Sequence, residues 1–476
     1  MVSAPWVESL RNQIGSDIVS VEDKSLDEHS RDRWPVAIKQ HQQNKRLYRP
    51  EAIVSPRTTE DVSRVLKWAN EWKVPVTPWG AGSSVTGAPL SVQGGITLNM
   101  ARMKRIISVD EANLFATVEA GVMGHELEAR LNSGGYTLHH SPQSLALSTV
   151  GGWVATLATG QFSSRWGGIE GLVVAVKVVL PDGEIIETKL TPRAAIGPDL
   201  KHLFLGSEGT LGVITEVSMK IFPLSAYQVV EAFGFDTIEA GLISIQKILR
   251  SGLQPFLVRL YDADESRHVL RGVESIPACL LFVGFEGIHS VAGAEHSAAR
   301  EMCLSEGGHS LGPSPVLAWI GRRFDFSAVE SVLEQPGGFA ETIEIAHFWS
   351  EILPTYHRLK DALHPYASEV LGHFSHVYLQ GTSLYLILLG QADSPAEAEE
   401  RLMDIWDVAM TLCLECGAAI THHHGVGLAR APYIRQELST SMTLLERLKS
   451  ALDPAQIMNP GKLGLRVNPK QDGYID

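Results

Sequence analysis

The sequence predicts an α+β protein with two large domains. Three observations carry this. A β-α-β unit ends in a glycine-rich turn near residue 80, a second α+β stretch with a hairpin runs to residue 221, and helices and strands alternate with fewer glycines after about residue 225. At 476 residues the chain is too long for one ordinary core.

The elements follow from local pattern. Residues 1–48 are charged and read as helix plus loop. Ala52–Pro56 is a short strand, and Thr59–Glu71 is an amphipathic helix with Thr59 as N-cap and Glu60-Asp61 in its first turn. Val74–Thr77 is the next strand. Ile96–Asn99, Ile106–Val109 and Leu114–Glu119 continue as strands, and Gly124–Asn132 is a helix. Asp182-Gly183 is a hairpin turn between strands Val173–Leu180 and Glu184–Lys189. Helix Thr237–Arg250, strands Phe256–Tyr261 and Ala278–Phe285, and helix Ser290–Glu306 form a split β-α-β arrangement, ferredoxin-like in pattern. Helices Trp349–Leu363 and Ala396–Gly417 extend it, with strand Ser383–Leu389 between them. The tail from Asp453 to Lys462 is turn-rich and is predicted to pack back on the first domain. The expected division is 1–48, 49–224, 225–430 and 431–476.

Composition excludes several classes. A net charge of −14 leaves no basic face for nucleic acid, although local arginines can still hold a small anion. No apolar run spans a bilayer, Met1–Ser16 lacks the pattern of a secretory signal, and Gly473–Asp476 match no C-terminal address, so a cytoplasmic protein is expected. Apolar helices such as Met442–Leu452 offer a surface for peripheral membrane contact, with a core role as the alternative. Cys413 and Cys416 form a CxxC on a helix, without a second pair for zinc. With Cys279 and Cys303 they read as buried structural thiols rather than redox groups.

Glycine-rich loops carry the chemistry. In Pro78–Pro89, Gly80 and Gly82 let the backbone approach a bulky group, and Ser83, Ser84 and Thr86 add hydroxyls. Successive amides there form an anion-binding concavity suited to a pyrophosphate, while a purely structural turn fits this loop alone equally well. Pro142–Gly152, Ala158–Gly168 and Phe204–Ile214 add three more such loops across one α+β region, as an extended ligand gripped by backbone requires.

The strings PxGxGSSVTG, STVGGW and GSEGTLGVITE resemble the FAD-binding, PCMH-type domain of the vanillyl-alcohol-oxidase flavoprotein superfamily, from about Arg49 to the C-terminus. The resemblance implies a two-subdomain FAD domain, a substrate (cap) domain and a C-terminal return segment. It implies FAD contacts from Pro78, Trp79, Gly80, Ala81, Gly82, Ser83, Ser84 and Val85. Further contacts would come from Gln143, Ser144, Ser148, Thr149, Gly152, Thr156, Ala158 and Thr159, and from Glu208, Gly209, Thr210, Gly212, Val213 and Ile214. The first loop has no histidine of the kind that bonds flavin covalently, so a noncovalent cofactor is expected.

Ile420–Gly427 contains three consecutive histidines. On a strand, His422 and His424 would point one way and His423 the other. A metal site and a solvated loop are the alternatives to a catalytic cluster. No acid or cysteine stands at ligand spacing, and no metal is expected. D-2-hydroxy acid dehydrogenases of the superfamily carry HxGDGNxH and EHG, where this chain has His376–Tyr385 and His423-His424-Gly425, without the acids. Closer is the pattern of alkyldihydroxyacetonephosphate synthases, matched by His422–Gly427, Gly381–Leu388, Pro192–Asp199 and Glu344–Trp349. Leu157 departs from it, standing where an arginine is usual beside the flavin.

This resemblance implies exchange of the acyl group of acyl-dihydroxyacetone phosphate for a fatty alcohol through a flavin N5 adduct. Tyr385 would be the acid/base residue with His423 as partner, and His422 and His424 would shape the site. A buried aromatic in a strand is the plain alternative for Tyr385. Arg322, Arg323 and Arg259 are candidates for the substrate phosphate, with surface salt bridges as their alternative. The second reading is hydride transfer from a D-2-hydroxy acid to the flavin, with His424 or Tyr385 as base. A flavin-binding protein without activity is the third. The family's shape implies a homodimer.

Overall fold

The computed structural model describes residues 4–270 and 277–465. Three sheets organise it. The first is four-stranded, in spatial order Val19–Ser20, Ala52–Val54, Ile96–Asn99, Val76–Trp79, with parallel pairing of the last three. Helix Thr59–Trp72 packs on it through Val62, Val65, Leu66 and Trp68. Its N-cap is Thr58, whose Oγ1 accepts from the Asp61 amide at 3.1 Å. Thr59, the expected cap, is instead buried, with its hydroxyl on Thr215. The strand expected at Val74–Thr77 runs Val76–Trp79, straight into the first glycine-rich loop.

The second sheet is antiparallel, in order Ile106–Asp110, Phe115–Glu119, Val213–Lys220, Val173–Val179, Ile185–Glu187. Helices Gly124–Asn132 and Val150–Thr156 cover it through Leu127, Leu131, Val150 and Val154. The chain returns here at its far end. The Val76 amide donates to Ile457 O, the Asn459 amide donates to Val76 O, and Met458 is buried in the first core. Gly473–Asp476 lie outside the described residues.

The third sheet has seven antiparallel strands, in order His309–Gly312, Tyr227–Phe235, Cys279–Gly287, Leu257–Tyr261, Glu369–Val377, Gly381–Gln391, Gly338–Phe348. Strict alternation divides its side chains. Val258, Leu260, Phe374, Leu384, Leu386, Leu388, Ile343 and Ile345 face a core shared with helices Ile238–Arg250, Ile352–Leu363 and Pro395–Cys416. Arg259, Tyr261, His373, Ser375, Tyr385, Ile387 and Thr342, one step out of phase, face the first two sheets across a cavity. Register slips at His376, between the Ser375 and Val377 pairs, and His376 takes φ +54°. A bulge of this kind re-aims a side chain, and it brings Ser375 and His376 to the same cavity. Among the described residues no helix is long and apolar enough to cross a membrane. All four cysteines are free, with Cys279, Cys303 and Cys413 buried and Cys416 half-buried.

Candidate active site

A cavity of about 600 Å³ lies between the glycine-rich loops and the third sheet. Pro78 to Val85 form one wall. Gln143, Ser144, Ser148, Thr149, Gly152, Thr156, Ala158 and Thr159 continue it, and Glu208, Gly209, Gly212, Val213 and Ile214 close it. Thr210 does not reach the cavity. Its hydroxyl donates to Ser207 O and its carbonyl accepts from buried Lys449 Nζ at 2.8 Å, so the residue ties the loop inward. Leu157 is also absent from the wall. It takes φ +55° as the C-cap of helix Val150–Thr156, and it lies against Gly206.

The donor set fits a dinucleotide. Among the described residues, the amides of Gly80, Ala81, Gly82, Ser83 and Ser84 have no protein acceptor, and all five residues line the cavity. Consecutive free amides make an anion cradle suited to a pyrophosphate. Gly82 holds φ +66°, where a Cβ would come within 2.4 Å of the Trp79 ring.

The histidine triplet is not a strand. It is a turn whose amides two buried carboxylates collect. Glu344 accepts from the amides of His422, His423 (3.1 Å) and His424 (3.1 Å), from Thr421 Oγ1 (2.8 Å) and from Arg430 (2.9 Å). Glu208 accepts from the amides of Val426 (2.6 Å) and Gly427 (3.0 Å). Gly427 holds φ +54° with Thr86 O where a Cβ would stand, so the turn also docks on the first loop. Pinned in this way, His423 and His424 both line the cavity and His422 sits behind them, contrary to the alternation a strand would give.

Burial alone would raise the Glu344 carboxyl, but the Arg430 guanidinium and the three imidazoles outweigh it and hold it well below the usual range. Burial lowers His423 well below its ordinary value and His424 to about 4, so both rings are neutral near pH 7. Burial pushes the Tyr385 phenol up to about 12. The Tyr385 ring lies between two imidazoles, His373 at 4.9 Å and 14° and His423 at 5.9 Å and 24°.

The three arginines reach the cavity differently. Arg259 Nη2 lies 2.7 Å from His373 Nε2, and His373 Nδ1 lies 2.8 Å from buried Glu265. Arg322 donates to Val269 O. Arg323 Nη1 donates to Ile320 O at 2.6 Å, its Nε has no partner, and no carboxylate pairs with it among the described residues. Glu265 and His373 are site residues that sequence reasoning missed. The string His373-Phe-Ser-His376, with polar residues in phase with Tyr385 across the strand pair, was the available signal.

A cradle for a dinucleotide beside a histidine-lined cavity is the arrangement of a dinucleotide-dependent enzyme, and the sequence relatives make the dinucleotide a flavin. Residues 50–189 match the FAD binding domain family and residues 224–463 the C-terminal domain of the FAD linked oxidases. The chain belongs to the FAD-linked oxidase family, and FAD is its cofactor. It is 29% identical over 452 residues to alkyldihydroxyacetonephosphate synthase of Dictyostelium discoideum, covering 87% of this chain and 73% of that one. It is 31% identical over 485 residues to the uncharacterized FAD-linked oxidoreductase YgcU of Escherichia coli K12, covering 97% and 98%. Glycolate oxidase subunit GlcD of Bacillus subtilis is 28% identical over 428 residues, covering 87% and 89%. A solved structure of alkyldihydroxyacetonephosphate synthase superposes with a TM-score of 0.80 at 25% identity, over 96% of this chain and 86% of the other.

Proposed function

We propose that this enzyme acts on a lipid-like ketone phosphate, exchanging the acyl group of an acyl-dihydroxyacetone phosphate for a fatty alcohol. The observation that carries the reading is the pairing, in one cavity, of an uncompensated guanidinium with an apolar wall. Among the described residues Arg323 has no acid partner, and Phe326, Val329, Leu333, Ala340 and Ile387 line the same space. A phosphate head and an alkyl tail call for that combination. Noncovalently bound FAD would supply an electrophilic ring to the reacting carbon. The chain's own residues would do the rest. The free amides of residues 80–84 would hold the pyrophosphate. Arg323 would bind the substrate phosphate, with Arg259 held towards the cavity by His373. Neutral His423 would take the proton from the carbon bearing the ester, and Tyr385, protonated near neutral pH, would donate to the departing oxygen.

A second reading is oxidation of a D-2-hydroxy acid. It is favoured by the Glu265–His373–Arg259 chain, which presents a guanidinium able to pair with a carboxylate, and by the similarity to the glycolate oxidase subunit. An anaerobic absorbance titration separates the two. Palmitoyl-dihydroxyacetone phosphate should change the flavin spectrum, while D-lactate, glycolate and D-2-hydroxyglutarate should leave it unbleached. Full bleaching by any of the acids sinks the first reading.

A further inference from the structure

Tyr378 lies in the turn joining strands Glu369–Val377 and Gly381–Gln391, and 40% of its surface is exposed. Its hydroxyl is nonetheless 2.7 Å from His422 Nε2. The other nitrogen of that ring, Nδ1, lies 2.9 Å from His423 Nδ1. His423 lines the cavity and stacks on Tyr385, with its Nε2 left for a substrate. Two hydrogen bonds therefore connect the cavity wall to a tyrosine on a partly exposed surface turn. Burial disfavours a lasting positive charge on these rings, and one carboxylate partly offsets it for a transient one. The Glu344 carboxylate is 3.7 Å from His423 Nδ1, and its own charge is partly balanced by Arg430. His376 stacks on His422 at 5.1 Å and 18°, with its Nδ1 turned away to Ser163 Oγ at 2.7 Å.

We propose that Tyr378 and His422 form a proton relay between His423 and bulk water. A base that takes a proton inside a closed cavity must pass it on before the next turnover, and chains of hydrogen-bonded imidazole and hydroxyl groups do this without moving heavy atoms. In the resting state the His423 Nδ1–H donates to His422 Nδ1, and the His422 Nε2–H donates to the Tyr378 oxygen. A proton arriving on His423 Nε2 sends the Nδ1 proton to His422, the His422 Nε2 proton to Tyr378, and the phenolic proton to water. Each hop breaks one bond to hydrogen and forms one, so no electron pair is left over. Run in reverse, the same chain returns a proton. Tyr378 acts through His422 and His423 and touches no substrate. The inference rests on the base role given above to His423, not on the identity of the substrate.

One ring nitrogen from each of His376, His422 and His423 also lies within 4.8 Å of the other two, and a metal ion would compete for the lone pairs the relay uses. The test therefore needs no substrate. In the FAD-loaded protein labelled with ¹⁵N-histidine, NMR reads the exchange of the His422 and His423 ring protons with water. Tyr378→Phe should slow that exchange at least tenfold, with flavin absorbance unchanged. Tyr378→His, or added imidazole buffer, should restore it. Three results would each overturn the relay: an exchange rate unmoved by Tyr378→Phe, a slowing that neither remedy reverses, or stoichiometric zinc on the rings of the purified protein. The outcome can be read whichever compound proves to be the substrate.

Discussion

The single carboxylate of Glu344 should decide whether the histidine turn has a defined shape. It is fully buried and takes five hydrogen bonds, three from consecutive amides of the histidine triplet and one from a buried arginine. Glu344→Gln removes the charge, turns one acceptor into a donor facing N–H groups, and leaves Arg430 buried without a counter-ion. Breaking a buried ion pair from one side costs about 3–5 kcal/mol. At about 1.4 kcal/mol per decade, that is roughly 140- to 4000-fold in a local opening equilibrium. Hydrogen exchange at residues 421–427, followed by mass spectrometry on the FAD-loaded protein, reads this directly. The amides of 422–424 should exchange faster by that factor, while those of strand Val213–Lys220 keep their protection. Thr421→Val removes one neutral donor from the same carboxylate and should cost only about 1 kcal/mol, near fivefold. Glu344→Gln/Arg430→Met should recover part of the loss, because no charge is then left unpaired. A change under tenfold in Glu344→Gln would refute the view that this carboxylate shapes the turn.

Further outcomes follow from the same geometry. Tyr385→Phe should abolish turnover of palmitoyl-dihydroxyacetone phosphate while FAD content by absorbance stays at one per chain, and near-normal turnover would remove Tyr385 from the chemistry. Gly82→Ala forces a residue with a Cβ to φ +66° and into the Trp79 ring, so the purified protein should emerge largely without flavin; full yellow colour would show that the loop tolerates the shift. Arg323→Met should raise the concentration of inorganic phosphate needed to perturb the flavin spectrum by tenfold or more, and an unchanged titration would pass the anion-binding role to Arg259 or Arg322. The His423 and His424 pKa values are lowered in the fold, so the unfolded state binds their protons first. Stability should therefore fall as pH drops below about 6.5 and continue to fall towards pH 4, and a thermal midpoint that stays flat over that window contradicts neutral, buried rings.

The FAD half was legible because its signals are local. A glycine-rich turn between a strand and a loop, and GSEGTLG running into a strand, constrain backbone within a few residues, and these loops line the cavity. Thr210 escaped that logic. It sits inside the most specific string, yet Lys449, distant in sequence, claims its carbonyl. Strands Tyr227–Phe235, Gly338–Phe348 and Glu369–Val377 were missed because their buried polar positions break the apolar run a buried strand usually shows. Thr342, Glu344, His373 and Ser375 look like loop chemistry until the rest of the fold is placed opposite them, and Glu231 until Arg300 and Ser310 are beside it.

The histidine triplet marks where sequence periodicity stops being informative. A period of two applies only while the backbone is extended by ladder hydrogen bonds. Here Glu344 and Glu208 replace the ladder, accepting amides that a neighbouring strand would otherwise take. Neither carboxylate is near the triplet in sequence; one lies 78 residues before His422 and the other 218 before Val426. The string HHHGVG thus names the side chains available, and two distant acids choose which of them face the cavity. Those acids come from different parts of the fold, Glu208 from the loop before strand Val213–Lys220 and Glu344 from the seven-stranded sheet. The histidine turn is therefore fixed only when both of these parts are in place, and their meeting holds His423 and His424 at the cavity and His422 towards Tyr378.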